Sequence, residues 1–249
     1  PDNCQWAVFL RNHDELTLEM VTDEERDYMY RVYANDPQMR LNLGIRRRLS
    51  PLLGNHRRRI ELMNGLLFSV LGTPIIYYGD EIGMGDNVEL FDRNGVRTPM
   101  QWTAEPGAGF STALPETFYQ PVINHETYGH EVVNVASQSM TPTSLFHTVR
   151  RMIAVRRANP VFGEHNFRFL DTGNQSVLAV LRQADRTAIL ALHNLADQPQ
   201  TATIDLSEFA GVRPYDLLQD RPSSLLKKPS SAPESMDLKP YHYGWLRLR

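Results

Sequence analysis

Residues 6–15, with the sequence WAVFLRNHDE, constrain the fold more than any other part of the chain. Residues 6–10 are apolar without alternation, which predicts a strand that is buried on both faces, as in a parallel sheet covered by helices. Polar and charged residues begin where this strand ends. Because ligands bind beyond the carboxyl ends of parallel strands in barrels and doubly wound sheets, the carboxylate of Asp14 is expected where chemistry takes place.

A helix and a second strand repeat this arrangement. From residue 56 to residue 71 apolar side chains recur at helical spacing, and residues 75–78 form a short apolar run that leads into Asp80 and Glu81. The order strand, acidic tip, helix, strand, acidic tip predicts a βαβ unit with two carboxylate clusters at one edge of a parallel sheet.

The second acidic tip has a structural interpretation. We expect Asp80 and Glu81 to form ion pairs that fix the following loop through Arg93 or Arg97. Residues 82–143 show little periodicity but carry many aromatic residues, which favours an ordered functional loop over a disordered one.

Two further helices and one connection are predicted in the first 160 residues. Thr22 and Glu25 form a capping box, which predicts a helix over residues 23–33. Its expected buried stripe consists of Met29, Val32 and Tyr33. Residues 37–55 are interpreted as an extended connection, and a helix is predicted over residues 144–158.

The remainder of the chain is predicted to be a small antiparallel β-domain. Its strand-like segments are residues 166–170, 175–182, 186–195, 200–206 and 241–249. We place a domain boundary between residues 1–160 and residues 161–249. Since two strands leave both edges of a sheet open, the rest of the first domain is expected upstream of Pro1, and we interpret the chain as a carboxyl-terminal portion.

Charge and cysteine content favour some partners and compartments over others. The net charge of −3 and the local character of the Arg triplets at 46–48 and 57–59 disfavour a nucleic-acid partner, and we interpret both triplets as solvated faces. Cys4 is the only cysteine and no segment has zinc-site spacing, so we expect no metal site in this chain and a cytoplasmic location. No apolar run predicts a membrane span.

Three ordered motifs resemble those of the α-amylase superfamily, glycoside hydrolase family thirteen. FLRNHDE at residues 9–15 is similar to the fourth sequence motif of that superfamily. YYGDEIGM at 77–84 and VRTPMQW at 96–102 resemble its oligoglucosidase and trehalose synthase branch. The similarity covers residues 1–160 and continues more weakly into the β-domain.

The resemblance implies a fold and an activity. The fold would be α/β, namely strands seven and eight of a (β/α)8 TIM barrel followed by an antiparallel β-sandwich. The activity would be an intramolecular glucosyl transfer that interconverts maltose and trehalose by a retaining double displacement. The family's nucleophilic aspartate and acid/base glutamate follow earlier strands and are absent from these residues, so the fragment alone is expected to be inactive.

The motifs also imply roles for individual residues. Asp14 matches the third family carboxylate, which accepts hydrogen bonds from sugar hydroxyls and favours an oxocarbenium-like transition state. His13 matches a histidine that donates to the same sugar, and Arg97 resembles an arginine on the acceptor side. The alternatives are a helix cap or a salt bridge to Arg11 for Asp14, and ion pairing with Asp92 or Glu81 for Arg97.

Glu15 and Glu19 are further candidates for contact with substrate. Four residues apart, they would share one face of a helical turn beside Asp14, where they could line or gate the pocket. Like charges at this spacing need a cationic partner or a polar ligand, and two solvated acids are the alternative.

Other functions and partners remain open on the sequence alone. A hydrolase of the same branch, an α-glucosidase or oligo-1,6-glucosidase, shares the barrel motifs, and a catalytically silent carbohydrate-binding relative belongs to another class. The expected partners are maltose, trehalose, glucose and the missing amino-terminal part of the barrel, with a homo-oligomer possible. No cofactor is expected in this chain, although calcium could bind through residues of the missing part.

Overall fold

The computed structural model describes residues 4–249. The α-helices are α1 (Asp23–Tyr33), α2 (Leu49–Leu52), α3 (Arg57–Leu67), α4 (Val135–Ser139) and α5 (Leu145–Ala158). The strands are β1 (Ala7–Phe9), β2 (Leu16–Thr17), β3 (Arg40–Leu41), β4 (Gly44–Ile45), β5 (Thr73–Ile75), β6 (Phe167–Leu170), β7 (Val177–Ala184), β8 (Thr187–Asn194), β9 (Gln200–Ile204), β10 (Tyr215–Asp216), β11 (Arg221–Pro222), β12 (Glu234–Leu238) and β13 (Tyr243–Arg247).

Two compact units alternate along the chain. One contains the residues up to Val8 together with residues 61–74 and 150–249, and the other contains residues 9–60 and 75–149. The sequence boundary between residues 160 and 161 stays a prediction.

The strands β1 and β5 pair with each other in a two-stranded sheet, as the sequence predicts, but β5 spans Thr73–Ile75 and shares only Ile75 with the predicted run 75–78. The backbone N–H of Thr73 donates to the carbonyl oxygen of Trp6 at 2.7 Å. The prediction that the first strand is buried on both faces is wrong for the described residues, because Trp6 is 80% exposed and Phe9 is 48% exposed. The physical reason is that β1 has no hydrogen-bonded neighbour other than β5 in residues 4–249.

The helix α1 begins at the predicted capping box. Thr22 accepts from the backbone N–H of Glu25, and the Glu25 side chain accepts from the N–H of Thr22. Met29 and Tyr33 pack against a small core of Leu18, Ala34 and Ile45. The prediction that Val32 belongs to the buried stripe is wrong, since Val32 is 49% exposed.

The segment 37–55 is more structured than predicted. It contains β3, β4 and α2, and β4 lies between β2 and β3 in a three-stranded antiparallel sheet. Each of these strands has only two residues, too few for an alternating pattern to be recognised. The expectation of a plain extended connection is therefore wrong.

The segment 82–143 is largely irregular, as predicted, and carries short 3-10 turns and α4. A core of Ile82, Met84, Met100 and Ile123 orders it. The chain enters this segment through Gly79, which has a φ of +85°. A Cβ at this position would lie 2.5 Å from Sδ of Met84, so only glycine fits without strain.

Residues 166–249 form an antiparallel β-sandwich. Six strands pair in the order β11-β10-β13-β8-β7-β6, and β9 pairs with β12 in a second sheet. Apolar residues of both sheets, among them Leu190, Leu192, Ala202 and Met236, share one buried core. All five predicted strands are present, and β10, β11 and β12 are additional strands that the sequence reasoning missed.

Candidate active site

The polar cluster after β1 is held by a local turn. The backbone N–H of Asp14 donates to Oδ1 of Asn12 at 2.8 Å, and the N–H of Glu15 donates to Oδ1 of Asp14 at 2.9 Å. Asn and Asp side chains favour such turns because they hydrogen-bond to the backbone two residues on. The turn ends the strand and presents the carboxylate of Asp14, whose side chain is 41% exposed.

Arg11, the residue before this turn, is hydrogen-bonded to the end of β4 and to the segment after it. Its guanidinium donates to the carbonyl oxygens of Arg47 at 2.6 Å and Ile45 at 2.8 Å, and its side chain is buried. Burial lowers the pKa of Arg11 to about 10, against the raising effect of nearby carboxylates, so the group stays charged at neutral pH. The alternative of a salt bridge from Arg11 to Asp14 does not occur among the described contacts of these two residues.

The carboxylate of Asp14 instead pairs with Arg93, from the 3-10 turn Asp92–Val96. The same guanidinium lies 2.9 Å from Oε2 of Glu15 and 2.8 Å from Oδ1 of Asp92. Contact with the Glu15 side chain and the hydrogen bond from Arg93 hold the pKa of Asp14 well below its usual range. Asp14 is therefore ionised at neutral pH and can accept hydrogen bonds from hydroxyl groups.

The structure separates Glu15 from Glu19. Glu15 is 12% exposed, binds Arg93 and accepts from Nδ2 of Asn42 at 2.8 Å, so it has the cationic partner that the sequence requires. Glu19 is exposed and follows β2. The expectation that the two share one face of a helical turn is wrong, because the two-residue strand β2 lies between them.

His13 and Arg97 meet through the backbone of His13. Nε of Arg97 donates to the His13 carbonyl oxygen at 2.8 Å, and the His13 residue is exposed. The hydroxyl groups of Tyr77 and Tyr78 donate to the carbonyl oxygens of Val96 at 2.8 Å and of Thr98 at 2.6 Å, on either side of Arg97. Burial raises the pKa of Tyr77, so its hydroxyl stays protonated and keeps its donor role.

A cavity of about 690 Å³ adjoins Arg97. Its walls are mainly aromatic and apolar, with Glu81 and Arg97 as the charged members. Other lining residues are Tyr78, Thr98, Met100, Trp102, Phe110, Phe118 and Tyr119. Burial raises the pKa of Glu81, and its Oε2 has no hydrogen-bond partner among the described residues. A mixed surface of rings and charged groups can bind a ligand that has both apolar and polar faces.

The neighbouring acid, Asp80, is buried, and its Oδ1 lies 3.7 Å from Nη1 of Arg48. Burial raises the pKa of Asp80 to about 7, against the lowering effect of Arg48. The expected pairing of Asp80 and Glu81 with Arg93 or Arg97 is absent from the described ion pairs, in which Arg93 binds Asp14, Glu15 and Asp92.

The Arg triplet at 46–48 was expected to be solvated, and this expectation is wrong. Arg46 is 8% exposed and Arg48 is fully buried. Arg46 donates to the carbonyl oxygen of Val88 at 2.5 Å and to those of Leu90 and Asp92. The acceptors lie some forty residues further along the chain, so no local pattern could reveal them. Arg46 thus ties the segment that carries Arg93 to the segment that follows β4.

Within residues 4–249, no three His, Cys, Asp or Glu side chains are grouped so that they could hold a metal ion. No helix in the same range is long and apolar enough to cross a membrane.

Comparison with known proteins places the chain in a family. Residues 45–165 match the protein family described as "Alpha amylase, catalytic domain". Residues 167–245 match the family described as "Maltogenic Amylase, C-terminal domain". The chain is 54% identical over 220 residues to a trehalose synthase/amylase of Mycobacterium tuberculosis, covering 87% of this chain and 37% of that protein. It is 47% identical over 252 residues to a trehalose synthase of Pimelobacter, covering 100% of this chain and 44% of that protein.

A solved structure supports the fold. The crystal structure of α-amylase from H. orenii is similar with a TM-score of 0.63 and 22% sequence identity, over 97% of this chain and 39% of that chain. The predicted fold class, the carboxyl-terminal part of a barrel followed by an antiparallel β-domain, is confirmed. The chain spans less than half the length of these relatives. Its sequence and fold make it a member of the α-amylase superfamily, glycoside hydrolase family thirteen.

Proposed function

We propose that the whole protein to which this chain belongs interconverts maltose and trehalose by intramolecular glucosyl transfer. The observation that carries the proposal is the ionised carboxylate of Asp14, placed by Arg93 at the end of β1 and beside the contact between Arg97 and His13. The relatives named trehalose synthase support the same reaction.

The reaction would proceed by a retaining double displacement. An aspartate outside this chain attacks the anomeric carbon of maltose, and a glutamate outside this chain protonates the departing oxygen. The freed glucose then reorients within the pocket. Its anomeric hydroxyl then gives its proton to the same glutamate and attacks the enzyme-bound glucosyl ester, which yields trehalose and frees the aspartate.

Asp14 would hold the sugar that changes shape during this reaction. Its described hydrogen bonds from Arg93 and from the Glu15 backbone both use Oδ1, and the side chain stays 41% exposed. The carboxylate can therefore accept further hydrogen bonds from sugar hydroxyls. Bonds that tighten as the ring flattens stabilise the transition state more than the bound substrate, which raises kcat.

The other candidate residues would serve the acceptor side and the pocket entrance. His13 would donate to the sugar bound by Asp14, and Arg97 would contact the glucose that leaves and returns. Glu15 and Glu19 would line the entrance. The aromatic segment 82–143 would close the pocket against water, because exclusion of water separates isomerisation from hydrolysis.

Hydrolysis of short α-glucans, as by an α-glucosidase or oligo-1,6-glucosidase, is the second candidate. One observation favours it: the Mycobacterium relative is named both synthase and amylase. A protein that admits water to the glucosyl ester would release glucose from maltose by the same first step.

A product assay on maltose with the whole protein separates these functions. Trehalose as the main product supports the isomerase, and glucose alone rejects it in favour of the hydrolase. A protein that binds maltose without turning it over would be a catalytically silent relative.

The remaining partners belong to the same proposal. Maltose, trehalose and glucose would bind between this chain and the amino-terminal part of the barrel. Calcium, if the protein uses it, would bind through residues of that part, and a homo-oligomer is compatible with the fold. The single cysteine, Cys4, fits a cytoplasmic location.

A further inference from the structure

Arg48 is a buried cation that lies against two neighbouring aromatic rings. Its guanidinium carbon lies 4.6 Å from the ring centre of Tyr77 and 4.6 Å from that of Tyr78, and the two rings meet edge to face at 4.7 Å. Nη1 donates to the carbonyl oxygen of Tyr78 at 2.6 Å and lies 3.7 Å from Oδ1 of Asp80. One side chain thus fixes both tyrosines and the acid that follows them.

The two tyrosines in turn fix the backbone around Arg97. Their hydroxyls donate to the carbonyl oxygens of Val96 and Thr98, the residues immediately before and after Arg97. With both flanking peptide groups held, the side chain of Arg97 leaves the backbone from a fixed position. From there Nε of Arg97 reaches the carbonyl oxygen of His13.

This burial of Arg48 is costly for stability. Its side chain is fully inaccessible, and Nε and Nη2 have no hydrogen-bond partner among the described residues. Buried donors without acceptors destabilise a fold, and an apolar side chain of similar volume often stabilises it. An arginine at this place is therefore better explained by what it orients than by the stability that it adds.

We propose that Arg48 is a positioning residue that sets the placement of Arg97 on the acceptor side of the active site, acting through Tyr77 and Tyr78. This inference rests on the proposed function for the role of Arg97. A guanidinium can lie against the rings of Tyr77 and Tyr78 while its fixed N–H groups donate to the Tyr78 carbonyl oxygen, whereas an ammonium group has no such fixed donor geometry. Lysine at position 48 would keep the charge and lose the orientation.

The test uses the whole protein with maltose as substrate and the variants Arg48→Lys, Arg97→Lys and their combination. We expect Arg48→Lys to lower kcat/KM by about tenfold to a hundredfold and to lower the ratio of trehalose to glucose, since small misplacements at a reacting site have effects of this size. Because Arg48 acts through Arg97, the combined variant should resemble Arg97→Lys alone.

Arg182→Lys is the matched control. Arg182 is also fully buried, donates to the carbonyl oxygen of Phe162 at 2.8 Å, and has guanidinium nitrogens without a partner among the described residues. It lies in β7, in the β-sandwich. This substitution should lower thermal stability while leaving the product ratio and kcat/KM unchanged.

Two results would overturn the inference. One is a folded Arg48→Lys protein with the original product ratio and kcat/KM. The other is a double variant whose fold-loss in kcat/KM equals the product of the two single losses. If Arg48→Lys fails to fold, Tyr77→Phe decides by the same two measurements, because it keeps the ring, removes only the bond to Val96, and changes a residue that is not among those lining the cavity. Should the unsubstituted protein release glucose alone, the proposed function fails, and the comparison of kcat/KM still tests Arg48.

Discussion

At the scale of single residues, one guanidinium holds three carboxylates together. Arg93 contacts Asp14, Glu15 and Asp92, and three acids so close to one another would otherwise repel. Their pairing keeps Asp14 ionised and fixes it in one orientation, which is what a group that must bind a flattening sugar ring needs.

Replacement of Asp14 by asparagine in the whole protein should lower kcat by about a hundredfold or more, the loss expected when one charged contact to a transition state is removed. The amide keeps the shape of the side chain and loses its charge. Steady-state kinetics with maltose measure the effect. Asp23→Asn is the control, since Asp23 also pairs with an arginine but lies on α1. Unchanged turnover in Asp14→Asn would contradict the proposed role.

Replacement of Arg93 by glutamine should shift the acid limb of the profile of kcat/KM against pH to higher pH. Arg93 helps to depress the pKa of Asp14, and the proposed role of Asp14 requires its ionised form, so activity should be lost as pH falls through that pKa. Without Arg93 the pKa of Asp14 rises, so the loss of activity begins at a higher pH. Arg26→Gln, which removes the ion pair with Asp23, should leave the limb in place. An unmoved limb in Arg93→Gln would refute this account.

At the scale of secondary-structure elements, α1 is stabilised chiefly at its amino end. The helix has no fully buried residue. Its first turn carries Asp23, Glu24 and Glu25, whose negative charges interact favourably with the positive end of the helix dipole. The capping box of Thr22 and Glu25 is therefore a large part of what keeps the helix folded.

Thr22→Ala should destabilise α1 by about 1 kcal/mol, because the Thr22 side chain satisfies a backbone N–H that alanine leaves unpaired. Amide hydrogen exchange over residues 23–33 should then speed up by about fivefold, the factor that corresponds to this free energy. Thr22→Ser retains the hydroxyl and should exchange like the original chain. Equal protection in both variants would show that packing, and not the cap, controls the helix.

The elements also show which features of the fold a sequence can reveal. The helices α1, α3 and α5 and the strand at residues 177–184 were predictable because caps and apolar periods are local signals. The sheet of β2, β3 and β4 was not, since its strands are two residues long and depend on partners elsewhere in the chain.

The candidate site shows the same limit. The motif around Asp14 and Arg97 was recognisable. In the structure Arg93 pairs with Asp14, and Arg97 donates to the backbone carbonyl oxygen of His13, the residue before Asp14. The burial of Arg46 and Arg48 was not recognisable, because a run of arginines is usually solvated. Their partners, the carbonyl group of Val88 and the ring of Tyr77, are distant in sequence.

At the scale of the whole molecule, the surface of this chain indicates that it needs the rest of its barrel. Trp6, Phe9 and Ile75 belong to or flank the paired strands β1 and β5, and 80%, 48% and 49% of their respective surfaces are exposed. Exposed apolar residues beside open strand edges favour aggregation.

Expressed alone, residues 1–249 should therefore be poorly soluble and should not turn over maltose. Co-expression with the upstream part of the protein should restore solubility, because the missing strands would cover these residues and complete the site. Sedimentation of the expressed chain and a maltose assay measure both effects. A soluble fragment that converts maltose unaided would contradict the expectation.

The backbone at Gly79 limits how this protein can diversify. With its positive φ, and with the sulfur of Met84 only 2.5 Å from where a Cβ would stand, position 79 strains any other amino acid that keeps this turn. In laboratory evolution toward new sugar acceptors, substitutions should therefore accumulate in the aromatic cavity wall around Phe110 and Tyr119. Gly79 should stay unchanged in the active variants.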